Sequence, residues 1–142
     1  LHVGFAHVTS NSVPFLVMGW LLLLRGIGQF FAVLGLVTVM EGVAVWLVGA
    51  GNSVHLGASG VVFGFFGFLL VAGVLERSVK SILSALIVGF AYGGIVWGVL
   101  PNQRGISWEG HLFGMLAGGV VAYWLVGKSV KEENRQRALP SG

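Results

Sequence analysis

Cysteine and aspartate are both absent from this 142-residue chain. Without cysteine there is no disulfide, no thiolate nucleophile and no metal site built on thiolate ligands. Charged residues make up only 9% of the chain, against about 25% in ordinary soluble domains. The basic residues fall between or after apolar runs rather than along a soluble face, so nucleic-acid binding is not expected. With 56% hydrophobic residues and a mean hydropathy of +0.91, the composition indicates an integral membrane protein.

Long apolar runs occupy most of the chain. A helix needs about 20 apolar residues to cross the hydrocarbon core of a bilayer. Five runs approach this length, at roughly 5–24, 28–49, 57–75, 79–100 and 108–127. The sequence therefore predicts an all-α polytopic membrane bundle with five transmembrane helices, formed by residues 1–127. Residues 128–142 are predicted to form a polar, solvated tail.

Positive charges divide unequally between the two sides of this bundle. Seven of the eight lysines and arginines lie in the connections after the first and third runs or in the tail, and Arg104 alone lies on the other side. By the positive-inside rule, the tail and those two connections are predicted to be cytoplasmic. The beginning of the chain and the loops 50–58 and 101–107 then face outward.

Ser59 and His111 stand out because polar side chains inside a membrane usually mark a functional site. Serine with histidine is also the minimal pair that makes a hydroxyl nucleophilic. Each residue lies sixteen positions before the predicted cytoplasmic end of its run, which corresponds to about 24 Å at 1.5 Å per residue. The two residues are therefore predicted to share one level, just below the outer surface of the bilayer.

Glycine spacing gives these two runs a reason to pack closely. Gly60 and Gly64 lie on one face of the third run, and Gly110, Gly114 and Gly118 form a stripe on the fifth. Small residues four apart let helix backbones approach each other in membranes. Close packing of the two runs would bring the hydroxyl of the serine and the imidazole of the histidine within reach of each other.

At this point the residues resemble the motifs of the rhomboid intramembrane serine proteases. Gly57-Ala58-Ser59-Gly60 is similar to the family's GxSG nucleophile motif, and His111-Leu112-Phe113-Gly114 with Gly118 is similar to its HxxGxxxG motif on the last core helix. The resemblance covers residues 2–127. It implies a serine endopeptidase with a Ser-His dyad, which cleaves transmembrane segments of other membrane proteins within the lipid bilayer. The expected location is a bacterial cell membrane, with an active site that opens to the outer side.

A third motif carries the rest of the resemblance. His2, His7 and Asn11 are similar to the family's H-x4-H-x3-N signature at the outer start of a helix. The resemblance implies that His7 and Asn11 stabilise the oxyanion of the reaction. The backbone N–H of Ser59 is a further candidate donor, because amides near a helix start lack internal partners. His2 is expected to play a helper or structural role.

The family core has six transmembrane helices, and this chain contains five. The resemblance therefore predicts a first helix that would precede His2. Pro14 lies inside the first run, where proline removes a backbone hydrogen bond and bends the helix axis, which affects the aim of Asn11. Neither a cofactor nor a metal is expected, and the sequence does not predict an oligomeric state.

An acidic third member of the site can be sought among the five glutamates. Glu41 is the only one that falls well within a predicted span, about 20 Å above the cytoplasmic boundary. At that level its carboxylate could orient the imidazole of His111, although the resemblance implies a dyad without an acid. A structural role, in which Glu41 is protonated or paired with another polar group, is the other interpretation.

Two other functions remain as alternatives. The first is a proteolytically inactive relative that binds or escorts membrane proteins, although such relatives typically lack the serine or the histidine. The second is a fragment of a transporter or channel, which would need ion-coordinating groups at the midplane. A soluble α/β-hydrolase is excluded, because Val61 stands where G-x-S-x-G has its last glycine. His55, four residues before Ser59, is a competing histidine in the outer loop.

Overall fold

A computed structural model of the chain describes residues 2–48, 58–100 and 108–138, and among the first ten side chains it describes only that of Thr9. These ranges contain five α-helices and one 3-10 helix, and no strand. The helices are α1 (His2–Leu23), α2 (Ile27–Val48), α3 (Ala58–Glu76), α4 (Val79–Tyr92) and α5 (Trp108–Arg137), and the 3-10 helix Gly93–Val99 continues directly from α4. The prediction of an all-α membrane bundle is confirmed.

Four described segments are long and apolar enough to cross a bilayer, namely Ile27–Val48, Ala58–Glu76, Val79–Val99 and Trp108–Arg137. In α1 the apolar stretch is the shorter segment Asn11–Leu23. Large side chains such as Phe90 and Trp46 are 94% and 82% exposed on the outside of the bundle. Exposure of this kind is expected where lipid, which is itself apolar, surrounds a helix.

The fourth predicted span is not one continuous α-helix. It remains α-helical as far as Tyr92 and then tightens into the 3-10 helix. The change coincides with Gly93 and Gly94, two adjacent residues of low helix propensity. A 3-10 helix rises more per residue than an α-helix, so the C-terminal end of this span is longer and narrower.

Helix α3 lies at the centre of the bundle. Of the residues in its most apolar 18-residue stretch, 61% are buried, against only 6% in the corresponding stretch of α4 and the 3-10 helix. Phe65 illustrates its position, because the rings of Phe15 on α1 and Phe30 on α2 lie 5.5 and 5.9 Å from its ring. The middle of α3 therefore contacts both α1 and α2.

Helices α3 and α5 run parallel with their backbones almost in contact. A Cβ atom added to Gly114 would overlap the carbonyl group of Gly60, and one added to Gly118 would overlap the carbonyl of Gly64. Contacts that repeat at four-residue spacing on both helices are the geometry that small-xxx-small faces permit. Any larger residue at these positions would push the two helices apart.

Arg25 joins three helices at the end of the bundle that is predicted to be cytoplasmic. It follows α1, and its guanidinium forms an ion pair with Glu76 at the end of α3, with one Nη1 to Oε2 distance of 3.0 Å. The hydroxyl of Ser81, in the first turn of α4, donates to the same carboxylate. Charge-assisted, bidentate pairs are among the stronger hydrogen bonds in proteins.

Helix α5 continues ten residues past its predicted boundary and ends at Arg137. The described part of the predicted tail is therefore helical, and all its side chains from residue 131 to 138 are exposed. Arg137 and Glu133 form an ion pair one turn apart on this surface. The cytoplasmic placement of the tail stays a prediction.

Candidate active site

His111 lies in the first turn of α5 and is buried, with 6% of its surface exposed. A buried polar side chain is normally held by hydrogen bonds, because an unmet bond in an apolar interior is costly. One such bond is clear: the imidazole Nδ1 lies 3.0 Å from the carbonyl oxygen of Gly98, in the 3-10 helix. The bond joins the C-terminal end of the segment formed by α4 and the 3-10 helix to the start of α5.

This contact determines which ring nitrogen of His111 carries the hydrogen. A carbonyl oxygen can only accept, so Nδ1 must be the donor in the bond to Gly98. The neutral imidazole then has its lone pair on Nε2, which is the nitrogen that can accept a proton from a hydroxyl. The histidine therefore has the tautomer that a general base requires.

An aromatic ring fixes the plane of the imidazole. The ring of Phe63 on α3 stacks on His111, with the centroids 4.1 Å apart and the planes inclined by 7°. Phe63 is itself buried and lies four residues after Ser59, one turn along the same helix face. The sequence analysis did not identify Phe63 or Gly98. The one-turn spacing from the serine was a signal for Phe63, whereas the acceptor role of Gly98 had none.

Ser59 is the second residue of α3 and is half-buried. Residues of α3 and α5 that contact each other differ by a nearly constant number of sequence positions, because the two helices are parallel. The difference is 48 for the stacked rings of Phe63 and His111, and 54 for the contacting glycine pairs. Ser59 and His111 differ by 52 positions, between these two values, which puts them at about the same level of the bundle. The backbone N–H of Ser59 also lies in the first turn of α3, where it has no acceptor within the helix.

Asn11 is a half-buried residue of α1, one turn before Phe15. Phe15 and Phe65 stack, so they mark a common level of α1 and α3. Asn11 lies four positions before Phe15, and Ser59 six positions before Phe65, or about 6 and 9 Å from this level at 1.5 Å per residue. Helix α1 continues through Pro14 as one helix. The level is compatible with the predicted oxyanion role of Asn11, which stays a prediction.

Glu41 contacts the start of α3. Its carboxylate lies directly against Gly60, so that a Cβ atom on this glycine would overlap it. Position 60 therefore has no room for a side chain, because Glu41 lies against it on one side and Gly114 on the other. The orienting bond to Nδ1 of His111, which was one possible role for Glu41, comes from Gly98. Glu41 instead touches the residue that follows Ser59.

Several predicted residues fall outside the described part of the structure. They are the side chains of His2 and His7, and the whole of Gly57, His55 and the loop residues 51–53 and 101–107. The predicted oxyanion role of His7 and the motif position of Gly57 stay predictions.

Comparison with known proteins gives a family for the chain. The family model described as Rhomboid domain matches residues 1–128, which includes all the site residues above. The chain is 38% identical to Rv1337 of Mycobacterium tuberculosis over 97% of its length, and 39% identical to ML1171 of Mycobacterium leprae over 98%. It spans 61% and 57% of the length of these two relatives.

A more distant relative has a functional name. The chain is 26% identical, over 90% of its length, to a protein of Bacillus subtilis named "Putative rhomboid protease YdcA", of which it spans 64%. No solved structure matches the chain at a comparable level of significance.

Proposed function

The chain belongs to the rhomboid family, and from this premise we propose that it is an intramembrane serine endopeptidase that uses Ser59 and His111 as a catalytic dyad. Its proposed substrates are transmembrane segments of other membrane proteins. The observation that carries the proposal is the state of His111: buried, stacked on Phe63, and bonded through Nδ1 so that Nε2 is left as a base.

The proposed reaction begins when Nε2 of His111 accepts the hydroxyl proton of Ser59. The serine Oγ then attacks the carbonyl carbon of the scissile peptide bond, and a tetrahedral oxyanion forms. His111 returns the proton to the departing amine, which leaves an acyl-enzyme on Ser59. A water molecule, deprotonated by the same histidine, attacks the ester carbon and releases the second product with the serine hydroxyl restored.

Three hydrogen-bond donors are proposed for the oxyanion. They are the backbone N–H of Ser59 and the side chains of His7 and Asn11. The first is supported by its place in the opening turn of α3, where the amide has no helical acceptor. Asn11 is supported by its level on α1 and its partial burial. Donors of this kind stabilise the charge that develops in the transition state.

The proposed setting of the reaction is the outer part of the bilayer. The charge distribution of the sequence favours a cytoplasmic tail and a site that opens outward. The bacterial relatives favour a bacterial cell membrane. A helical peptide bond is shielded, so the substrate segment must unwind before Ser59 can reach it. The hydrolytic water has to enter from the outer aqueous phase, because the hydrocarbon core of the bilayer contains no water.

A covalent probe tests this function directly. The full-length protein, purified in detergent, is treated with a fluorescent fluorophosphonate, and cleavage of a single-span membrane protein reconstituted with it is followed in parallel. We expect labelling and cleavage in the native protein and neither in Ser59→Ala or His111→Ala. Ser129→Ala is the matched control, since its exposed hydroxyl bonds only within α5 at the far end of the bundle.

Two outcomes would count against the proposal. Labelling that persists in Ser59→Ala would show that another group is the nucleophile. A well-folded native protein that neither reacts with the probe nor cleaves any single-span substrate would favour the inactive, escorting relative instead.

A further inference from the structure

We propose that the main-chain carbonyl of Gly98 is the positioning group of the catalytic pair and serves in place of the carboxylate found in Ser-His-Asp triads. This inference rests on the proposed serine endopeptidase function and adds a group to its machinery. Its basis is the 3.0 Å contact between the carbonyl oxygen of Gly98 and Nδ1 of His111, together with the stacking of Phe63 on the same ring.

The third member of a triad holds the imidazole in the right tautomer and orientation, and it stabilises the imidazolium that forms. A peptide carbonyl can do the first two of these, because it accepts from Nδ1–H and is anchored in the backbone. Its partial negative charge also favours the imidazolium, but less than a full carboxylate charge would. In a chain without aspartate, a backbone acceptor supplies the orientation and avoids burying a charge in the membrane.

The end of the 3-10 helix explains why this carbonyl is available. In a 3-10 helix each carbonyl accepts from the N–H three residues later, and Leu100 bonds in this way to Trp97 at 3.2 Å. Leu100 itself is extended, with φ −86° and ψ 139°, so the helix does not continue and the carbonyl of Gly98 has no acceptor role within it. This carbonyl is therefore left for the histidine.

The lack of a side chain at Gly98 matters as well. A Cβ atom built there would lie 3.0 Å from Cζ of Phe63 and 3.1 Å from Nδ1 of His111. Both distances are shorter than ordinary van der Waals contacts. Even a methyl group would therefore require one or both rings to shift by a few tenths of an ångström. Gly98 thus provides a carbonyl that no helical N–H uses and leaves room for the imidazole beside it.

The inference is tested first on the native full-length protein. Ring 15N chemical shifts of His111, assigned by the loss of its signals in His111→Ala, distinguish a protonated nitrogen from an unprotonated one. At a pH where the ring is neutral, we expect Nδ1 to be protonated and Nε2 to be unprotonated. A ring protonated at Nε2, or an equal mixture of the two tautomers, would overturn the inference without any variant having to fold.

One variant then tests the effect on reactivity. Gly98→Ala crowds the rings of Phe63 and His111. In this variant we expect a smaller fraction of the Nδ1–H tautomer and fluorophosphonate labelling of Ser59 slowed about three- to tenfold, the value of one neutral hydrogen bond. Gly94→Ala is the matched control, because a Cβ atom there meets nothing within 4 Å in the same 3-10 helix.

The possible failures separate the two proposals. A native labelling rate and a native tautomer in Gly98→Ala would overturn the role of Gly98 and leave the protease function standing. A native protein that carries the Nδ1–H tautomer but never labels would support the hydrogen bond to Gly98 and contradict the proposed protease function.

Discussion

At the scale of single residues, the environment of His111 is set by two neighbours from different helices. Gly98 determines which nitrogen holds the hydrogen, and Phe63 determines the plane of the ring. A free imidazole has two tautomers and many orientations, and only a small part of them presents a lone pair to a serine. Restricting the ring in advance removes that entropic cost from the reaction.

Replacing Phe63 tests the contribution of the stacked ring. Phe63→Leu keeps most of the buried volume but removes the aromatic face, and aromatic pairs contribute about 0.5–1.5 kcal/mol beyond area burial. We expect kcat/KM for a membrane substrate to fall about two- to tenfold, with the change mainly in kcat. The measurement is a substrate titration in detergent.

The control for this prediction is Phe31→Leu, which alters an exposed ring on the lipid-facing side of α2. Equal activity losses in the two variants would indicate a general effect on the bundle and not on His111.

At the scale of the helices, the close approach of α3 and α5 places the site. The two helices carry Ser59 and His111 near their N-terminal ends, and their glycine faces allow them to meet without intervening side chains. If the two helices moved apart by even the width of a methyl group, the serine hydroxyl would move away from the imidazole, because both side chains are attached to rigid helices. Gly60 is under the tightest constraint, with Glu41 on one side and α5 on the other.

Gly118→Ala tests this packing away from the catalytic residues. The added Cβ would overlap the carbonyl of Gly64 and approach the backbone N of Phe68 to 2.9 Å. Neither is a flexible side chain end, so the helices must separate. Overpacking of this kind costs about 1–3 kcal/mol, and we expect a lower unfolding midpoint in detergent together with reduced activity.

The same change in an open position should have the opposite sign. In Gly35→Ala on α2 the Cβ meets nothing within 4 Å, and alanine is the better helix former by about 0.5–1 kcal/mol. An unchanged midpoint in Gly118→Ala would contradict the close contact of α3 and α5.

At the scale of the whole molecule, the bundle is connected at both ends. The candidate active site lies at one end of α3, and the Arg25, Glu76 and Ser81 cluster at the other. This cluster links residues 51 positions apart in the chain, so it holds α1, α3 and α4 together. The α4 segment has little other buried surface, which makes its attachment to the cluster important for its position.

Glu76→Gln tests this attachment. Loss of the carboxylate charge leaves the partly buried guanidinium of Arg25 without its ion pair, and hydrogen bonds to charged groups contribute about 1.5–3 kcal/mol. We expect a clearly lower midpoint of thermal unfolding in detergent.

The matched control is Glu133→Gln, which removes the exposed ion pair with Arg137 on the surface of α5. Exposed pairs contribute about 0–1 kcal/mol, so little change is expected there. If the two variants were equally stable, the cluster would not hold the helices together.

The sequence by itself determined the membrane bundle and the candidate pair. Hydropathy over about 20 residues is a local property, so the spans could be located without knowledge of their neighbours. The end of α5, ten residues beyond the apolar run, was not predicted. Glycine spacing indicated which faces of the third and fifth helices would meet. Ser59 and His111 were identifiable because serine and histidine at one predicted depth in an apolar chain have few structural explanations.

Only the tertiary structure decided what surrounds that pair. The partner of Nδ1 is a backbone carbonyl, which every residue possesses, so no residue type in the sequence distinguishes Gly98 from its neighbours. Its availability depends on the end of the 3-10 helix at Val99, and its position depends on how that segment packs against α5. In the same way Glu41 had the right depth for His111 but lies against Gly60, because depth along a helix does not determine which neighbour a side chain faces.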